Sequence, residues 1–464
     1  MTDRQAAIIL FAMCPQGDKD PVQEPIVPGS LGEPEAEVAP AHFRISTFAS
    51  LTIPDYRWYW LGLLAYFSAM QMQTVAQGWL VYSMTNSPVA LGLVSVAIGI
   101  PILLFSMLGG VIADQLDKRR ILIVTQILLS IIMLAIAILV SVNAIRFWHL
   151  VAGAFLAGLA FVFNVPARLA IIPEIVDRHR LLNSISLNSL GMNLSRVAGP
   201  SIAGALIALV GISAVYFIVA ALYIVAAISM YAISQNRTPA FNIEGDVIMK
   251  NEEHLASKNS TSFPAAIWTD LKEGISYMWH SKITLLLLIM AFVPLVFGLP
   301  YINLMPVFAK DVFQMGAEGL GFLMAAAGLG AMAGSLAIAS IGDFRHKGIL
   351  IIVLALGFGL SLVAFGLSHD FELSLITLVI VGGTGTGYMA TNNMLIQSNT
   401  PHRMLGRVMS LYMVTFALMP LGTLPVAAVA EAIGVGTAVA LGGAIVFSFT
   451  IVMALSQSSL RHLR

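Results

Sequence analysis

Residues 109–120 read GGVIADQLDKRR. Apolar runs flank them, 88–113 before and 121–142 after, each long enough for the roughly 20 residues a helix needs to cross a bilayer. A short turn holding Asp114, Asp117, Lys118, Arg119 and Arg120 between two such runs is where a chain leaves a membrane and re-enters it. Gly109, Gly110 and Ala113 are small, so another helix can approach closely at this point.

The composition agrees. The chain has 464 residues, 58% hydrophobic and only 10% charged, whereas soluble domains carry roughly 25% charged residues. A formal net charge of zero gives no basic surface for nucleic acid. Cys14, the single cysteine, has no partner in the chain for a disulfide.

Working outward from the turn, twelve bilayer-length runs emerge: 58–83, 88–113, 121–142, 147–170, 186–211, 213–234, 283–308, 317–341, 349–367, 371–395, 405–431 and 434–456. Lys and Arg gather in alternate connections, and only Arg146 and Lys310 fall in loops on the other side. The positive-inside rule then puts both termini in the cytoplasm.

The first 50 residues, with Pro15, Pro21, Pro25, Pro28, Pro34 and Pro40 among scattered acids, read as a disordered cytoplasmic tail. Their apolar patch, Ala6 to Met13, is too short for an anchor and lacks the flanks of a cleaved signal. Residues 51–234 form a six-helix half and 283–456 a second, with 457–464 as a cytoplasmic tail. Between the halves, 235–282 is a polar cytoplasmic linker. In it Trp268, Leu271, Ile275 and Met278 recur at the spacing of an interfacial helix.

The halves repeat. Gly92, Gly99, Asp114 and Lys118 correspond, at one constant shift, to Gly321, Gly328, Asp343 and Lys347. His179, Arg180, Leu182, Gly199 and Gly211 correspond, at a second, to His402, Arg403, Leu405, Gly422 and Gly434. The expected fold is an all-α integral membrane protein, twelve transmembrane helices in two six-helix pseudo-symmetric halves. A substrate site is expected between them near the midplane.

One cation stands out at that depth. Arg196 lies in NLSRVAGPSIAG, residues 193–204, and an arginine so placed must face the interior. Helical spacing puts Ser189, Met192, Asn193 and Arg196 on one face. Arg196 either binds an anionic or carbonyl-rich substrate or is a structural arginine hydrogen-bonded across the half. Gln73, Gln77, Asn392 and Asn393, with Tyr66 and Gln397, are candidates to line the same cavity or to hold helices together.

The chain has no GxxxxGKS stretch to hydrolyse ATP, so an ion gradient is left to drive transport. No acid occupies the middle of any span. Proton coupling therefore falls to Glu431 and Glu318 near the outer ends of spans eleven and eight, with Asp311 behind them, unless each is a solvated rim charge. No Cys, His and acidic cluster has catalytic or metal-ligand spacing, so neither an enzyme, a metal site nor a cofactor is expected. His149 reads as an interfacial residue, and Trp58, Tyr59 and Trp60 as an aromatic belt.

Gly110, Asp114, Lys118, Arg119 and Arg120 match the signature loop GxxxDRxGRxx of the major facilitator superfamily, which this chain resembles. Gln115 and Asp117 depart from it. Residues 154–204 and 74–94 resemble the exporter branch of that superfamily, which includes enterobactin (siderophore) exporters and macrolide efflux proteins. Gly199, Pro200 and Gly204 echo the antiporter motif of span five, with Ser186, Ser195 and Ala203 where that motif has glycine.

The resemblance implies a gate. Asp114 would face the start of span eleven, near Arg403, Leu405 and Arg407, and Asp343 with Lys347 would do the mirrored work against span five. It also implies a monomer in the cytoplasmic (inner) membrane, in contact with lipids, exporting a small drug, macrolide or siderophore by alternating access in exchange for protons or another ion. The alternative is an importer of a nutrient or lipid precursor on the same fold.

Overall fold

Each long helix ends where the sequence supplies a stop. The computed structural model describes residues 49–233, 276–341 and 346–461. Helix α1 (Pro54–Thr85) stops at Asn86, whose left-handed φ of 49° closes the last turn before α2 (Pro88–Gln115). Asp117 accepts the Arg119 backbone N–H at 2.9 Å and caps α3 (Lys118–Ser141). His149 Nδ1 accepts from the Arg146 backbone at the start of α4 (Phe147–Ile175), so it is part of a helix cap. Gly211, at φ 87°, makes the corner between α5 (Arg178–Val210) and α6 (Ile212–Tyr231).

Ser281 opens α7, which runs Lys282–Val312 through two π turns, Pro294–Gly298 and Phe308–Val312. Then come α8 (Ala317–Ile341), α9 (Lys347–Leu367) and α10 (Phe371–Asn399), the last capped by Asp370. Helices α11 (His402–Ala417) and α12 (Met419–Ile433) are separated by a break at Leu418, before Pro420. Gly434, at φ 93°, leads into α13 (Val435–Ser456). Among the described residues there is no strand.

Among the described residues, ten helices are long and apolar enough to cross a membrane. Two of the twelve runs expected from sequence fall short of that test, for different reasons. Helix α1 is 32 residues long but carries Asp55, Arg57 and three glutamines, Gln71, Gln73 and Gln77. The eleventh run is interrupted at Leu418, leaving pieces of 16 and 15 residues. The tail of residues 1–48, the linker through residue 275 with Trp268 and Leu271, and Asp343 lie outside the described residues.

Helices α1 to α6 pack largely on one another, α3 between α4 and α6 and α1 against α5 and α6. In the later part, α10 packs on α8 and α9, and α9 on α13. Two pairings make most of the contact between the groups: α5 with α8, and α2 with α12. Both use small residues. A Cβ on Gly321 would stand 2.8 Å from the Pro200 carbonyl oxygen, and one on Gly328 would stand 2.8 Å from that of Arg196. Gly92 meets Leu424 and Ala427, and Gly99 meets Pro420. Only glycine permits backbones this close.

The aromatic belt expected at residues 58–60 is largely absent. Trp58 is 43% exposed, but Tyr59 is buried with its hydroxyl donating to the Arg168 carbonyl, and Trp60 Nε1 donates to the Leu187 carbonyl at 3.1 Å. Two of the three rings serve packing of α1 on α4 and α5, because their polar ends find backbone acceptors there.

Candidate transport cavity

Helix order defines two faces of the bundle. The starts of α3 and α5, with Lys118, Arg119, Arg120 and Arg180, lie on the basic face together with the ends of α2, α4 and α6. The α1–α2, α3–α4 and α5–α6 corners lie on the opposite face.

A cavity of about 320 Å³ opens between α1 and α5, lined by Phe67, Met70, Gln71, Ser189, Met192, Asn193 and Arg196. The stripe Ser189, Met192, Asn193, Arg196 shares one helical face, as its three- and four-residue spacing requires. Ser189 Oγ donates to the Ile185 carbonyl at 3.0 Å, and Asn193 Nδ2 to the Ser189 carbonyl at 2.9 Å. The Ser189 hydroxyl and one Asn193 amide hydrogen are thus held by their own helix. Arg196 is exposed toward the cavity and lies within electrostatic reach of Tyr301 on α7.

Behind the cavity α5 is pinned to α1. Ser195 Oγ is 3.3 Å from Ser68 Oγ, and a Cβ on Gly199 would stand 2.7 Å from the Gln71 Cβ. Ser195, a small residue where the antiporter motif has glycine, therefore makes a hydrogen-bonding contact there.

Contacts between the two helix groups close the opposite face. Tyr82 donates its hydroxyl to Asp311, and Lys310 Nζ donates to Asn86 Oδ1 at 2.6 Å, joining α1 to α7. Glu431 Oε2 accepts from Ser87 Oγ at 2.5 Å and from the Val89 backbone at 3.2 Å, so a carboxylate on α12 sits on the positive start of α2. Beneath these lie the glycine contacts of α5 with α8 and α2 with α12, and a pocket of about 70 Å³ with Gln77 and Asn303 in its wall. The cavity at Arg196 lies on the basic side of this seal.

One charged residue was not singled out from sequence. Arg168 on α4 is 4% exposed, and its guanidinium carbon lies 4.2 Å from the Tyr66 ring centre and 5.7 Å from that of Phe67. Its Nε donates to Asn164 Oδ1 at 3.2 Å, and Asn164 Nδ2 donates to Thr125 Oγ1 at 2.8 Å. Among the described residues, Nη1 and Nη2 meet no acceptor at hydrogen-bond geometry, and neither amide atom of fully buried Gln126 finds a partner. Cation–π contact with Tyr66 offsets part of the desolvation. The available signal was FNVPARLAII, an arginine two turns from the helix end with an asparagine at i−4, hidden by its nearness to the basic face.

The remaining expected residues divide by role. Gln73 is buried and accepts the Tyr223 hydroxyl at 2.8 Å, which ties α1 to α6 away from the cavity. Asn392 is buried beside Tyr388 and Tyr412, while Asn393 hydrogen-bonds Gln397 and Tyr412. None of these three lines the Arg196 cavity.

At the signature loop, Lys118 pairs with Glu174 at 2.6 Å and Arg120 with Asp117 at 3.5 Å. Arg119 Nε donates to the Met230 carbonyl at 2.9 Å and Nη2 to that of Tyr231, capping α6. Lys347 begins α9, and Arg407 Nη1 lies 3.5 Å from Met404 Sδ. Gly110 and Asp114 belong to the last turns of α2 and Arg403 to the first turn of α11, with side-chain surroundings outside the described set. Glu318 is in the first turn of α8, its carboxylate over Gly316.

Residues 45–463 match the family described as transmembrane secretion effector, MFS_3. The chain is 25% identical over 365 residues to the staphyloferrin A transporter of Staphylococcus aureus, covering 78% of this chain and 86% of that one. It is 25% identical over 370 residues to the multidrug efflux pump Tap of Mycolicibacterium fortuitum, covering 78% and 85%. Against the enterobactin exporter EntS of Shigella boydii it is 26% identical over 360 residues, covering 76% and 77%.

Among solved structures, a POT family transporter in complex with 5-aminolevulinic acid superposes with a TM-score of 0.66 at 13% identity, over 89% of this chain and 97% of that one. A bacterial homolog of the lysosomal transporter Spinster, inward-facing and unoccupied, superposes with a TM-score of 0.64 at 14% identity, over 88% and 97%. These two show the fold alone. With almost its whole length matched by one family, the chain belongs to the transmembrane secretion effectors of the major facilitator superfamily, a family of multi-pass membrane transporters and not of enzymes.

Proposed function

We propose that this protein exports a small organic molecule by alternating access, through twelve spans arranged as two related halves with both termini in the cytoplasm. The observation that carries this is the cavity at Arg196, roofed on the opposite face by contacts between the two helix groups. With the basic face in the cytoplasm, the structure is loading-ready: open inward, shut outward.

The contacts support the halves. Gly99 meets Pro420 and Gly328 meets Val197; Gly92 meets Leu424 and Gly321 meets Ser201. In each case the second pair is the first carried over by the two shifts seen in sequence. Gly211 and Gly434, also related by that repeat, both take a positive φ at matching helix corners. On this reading α1, despite its glutamines, and α11 with α12, despite the break, each cross once.

Relatives named for staphyloferrin A, enterobactin and multidrug transport support export of a drug, macrolide or siderophore type of molecule across the inner membrane. The signature loop around Gly110 and Asp114 would control opening on the cytoplasmic side, with Asp343 in the mirrored position. An importer is the second reading, since solved nucleoside and peptide transporters share the fold.

The test is efflux from cells expressing the chain, loaded with a macrolide, a catechol siderophore or a lipophilic dye. Faster loss of one compound than from cells carrying Asp114→Asn at equal protein level is expected. Faster uptake instead would favour the importer.

A further inference from the structure

The charges deep in the described helices are of one sign. Arg196 opens into the cavity and Arg168 lies behind it, and among the described residues neither makes an ion pair. Phe67 connects them: it lines the cavity with Arg196, and its ring centre is 5.7 Å from the Arg168 guanidinium carbon. Among the described residues, every acid lies in a connection or the terminal turns of a helix. Of those at helix ends, Glu431 is taken up by Ser87 and Val89, Asp311 by Tyr82 and Glu174 by Lys118.

A cavity with a positive lining and no acid repels organic cations and attracts anions. The fork of a guanidinium matches a carboxylate or a deprotonated catechol in two hydrogen bonds, and the Phe67, Met70 and Met192 walls suit an apolar body. A cation left without a counter-ion at this depth is costly, and a substrate anion would relieve the cost.

We propose that the cavity takes an amphipathic organic anion held by Arg196, with Arg168 adding positive potential behind Phe67, and that its export is driven by the membrane potential and not by a proton-carrying side chain. The proposal rests on the exporter reading above. The loaded cavity is near neutral and the empty one positive, so each cycle carries net negative charge outward. An inside-negative membrane favours that direction. No protein group has to pick up or release a proton, which fits a chain without a mid-span acid.

The full chain, purified and reconstituted, can be assayed in liposomes loaded with calcein, a polycarboxylate, or ethidium, a cation. Valinomycin with an about tenfold outward potassium gradient makes the lumen negative and should speed calcein release at least about fivefold, while a pH gradient of about one unit should not. Arg196→Gln should abolish release, Arg196→Lys should keep part of it, and Arg168→Gln should slow it while the melting temperature holds.

Calcein release that follows the pH gradient and ignores valinomycin would overturn the driving force proposed here. Release of ethidium but not calcein would overturn the substrate class and leave the exporter reading standing. Release of neither would remove the exporter reading, and the inference with it.

Discussion

A Cβ on Gly204 of α5 would stand 2.9 Å from the Gly321 Cα of α8. The two glycines bring α5 and α8 together on the side of the bundle away from the basic face, and the closure there depends on the absence of both side chains.

Gly204→Leu should therefore hold that face open. Overpacking a tight contact costs about 1–3 kcal/mol, enough to shift a two-state balance by roughly tenfold. Transport should fall to a small fraction at normal protein level. Full transport by Gly204→Leu would mean that this contact does not govern closure.

Glu431 bridges the two helix groups. Its carboxylate accepts from Ser87 and Val89 at the start of α2, across the interface between helix groups. Glu431→Gln should loosen the seal while the pH profile of transport keeps its shape. A profile that flattens in Glu431→Gln would identify Glu431 as a proton carrier.

Arg119 caps α6 from α3 and stacks 5.4 Å from the Tyr231 ring centre. Arg119→Ala leaves the last carbonyls of α6 without that donor, at a cost of about 1 kcal/mol. A modest drop in melting temperature with transport mostly retained is expected. Complete loss of transport with unchanged melting would assign Arg119 to the gate.

Arg168→Met tests what the buried cation is for. Replacing a buried charge that lacks a full set of partners with a hydrophobe of similar volume is often neutral or stabilising. The variant should melt no lower than the parent and transport less. A clear fall in melting temperature would make Arg168 a structural residue.

Much of this was legible in sequence because span length, charge alternation and small-residue spacing are local properties. The connection just after Asp114, the stripe from Ser189 to Arg196 and the repeat of Gly211 in Gly434 could all be read without coordinates. What was hidden depends on which helix faces which. Gln73 reads like a cavity residue until Tyr223 is found on it, and Tyr59 and Trp60 look interfacial until α4 and α5 provide backbone acceptors. The pairings Tyr82 with Asp311, Asn86 with Lys310 and Ser87 with Glu431 link residues more than two hundred positions apart, and no periodicity announces them. The break at Leu418 had a signal in Pro420 and in the polar start of the run, but neither fixes its place without the coordinates.

The most direct test is sided accessibility of single cysteines, since Cys14 is the only native one. On a Cys14→Ser background, Asn193→Cys lies in the cavity and Gln77→Cys beneath the closed face. In oriented vesicles without substrate, a membrane-impermeant maleimide should label Asn193→Cys from the cytoplasmic side and leave Gln77→Cys protected from both sides. Adding Gly204→Leu should expose Gln77→Cys to the outside. Labelling of Asn193→Cys only from the outside, or of Gln77→Cys from the outside before Gly204 is changed, would contradict an inward-open cavity beneath a closed outer face.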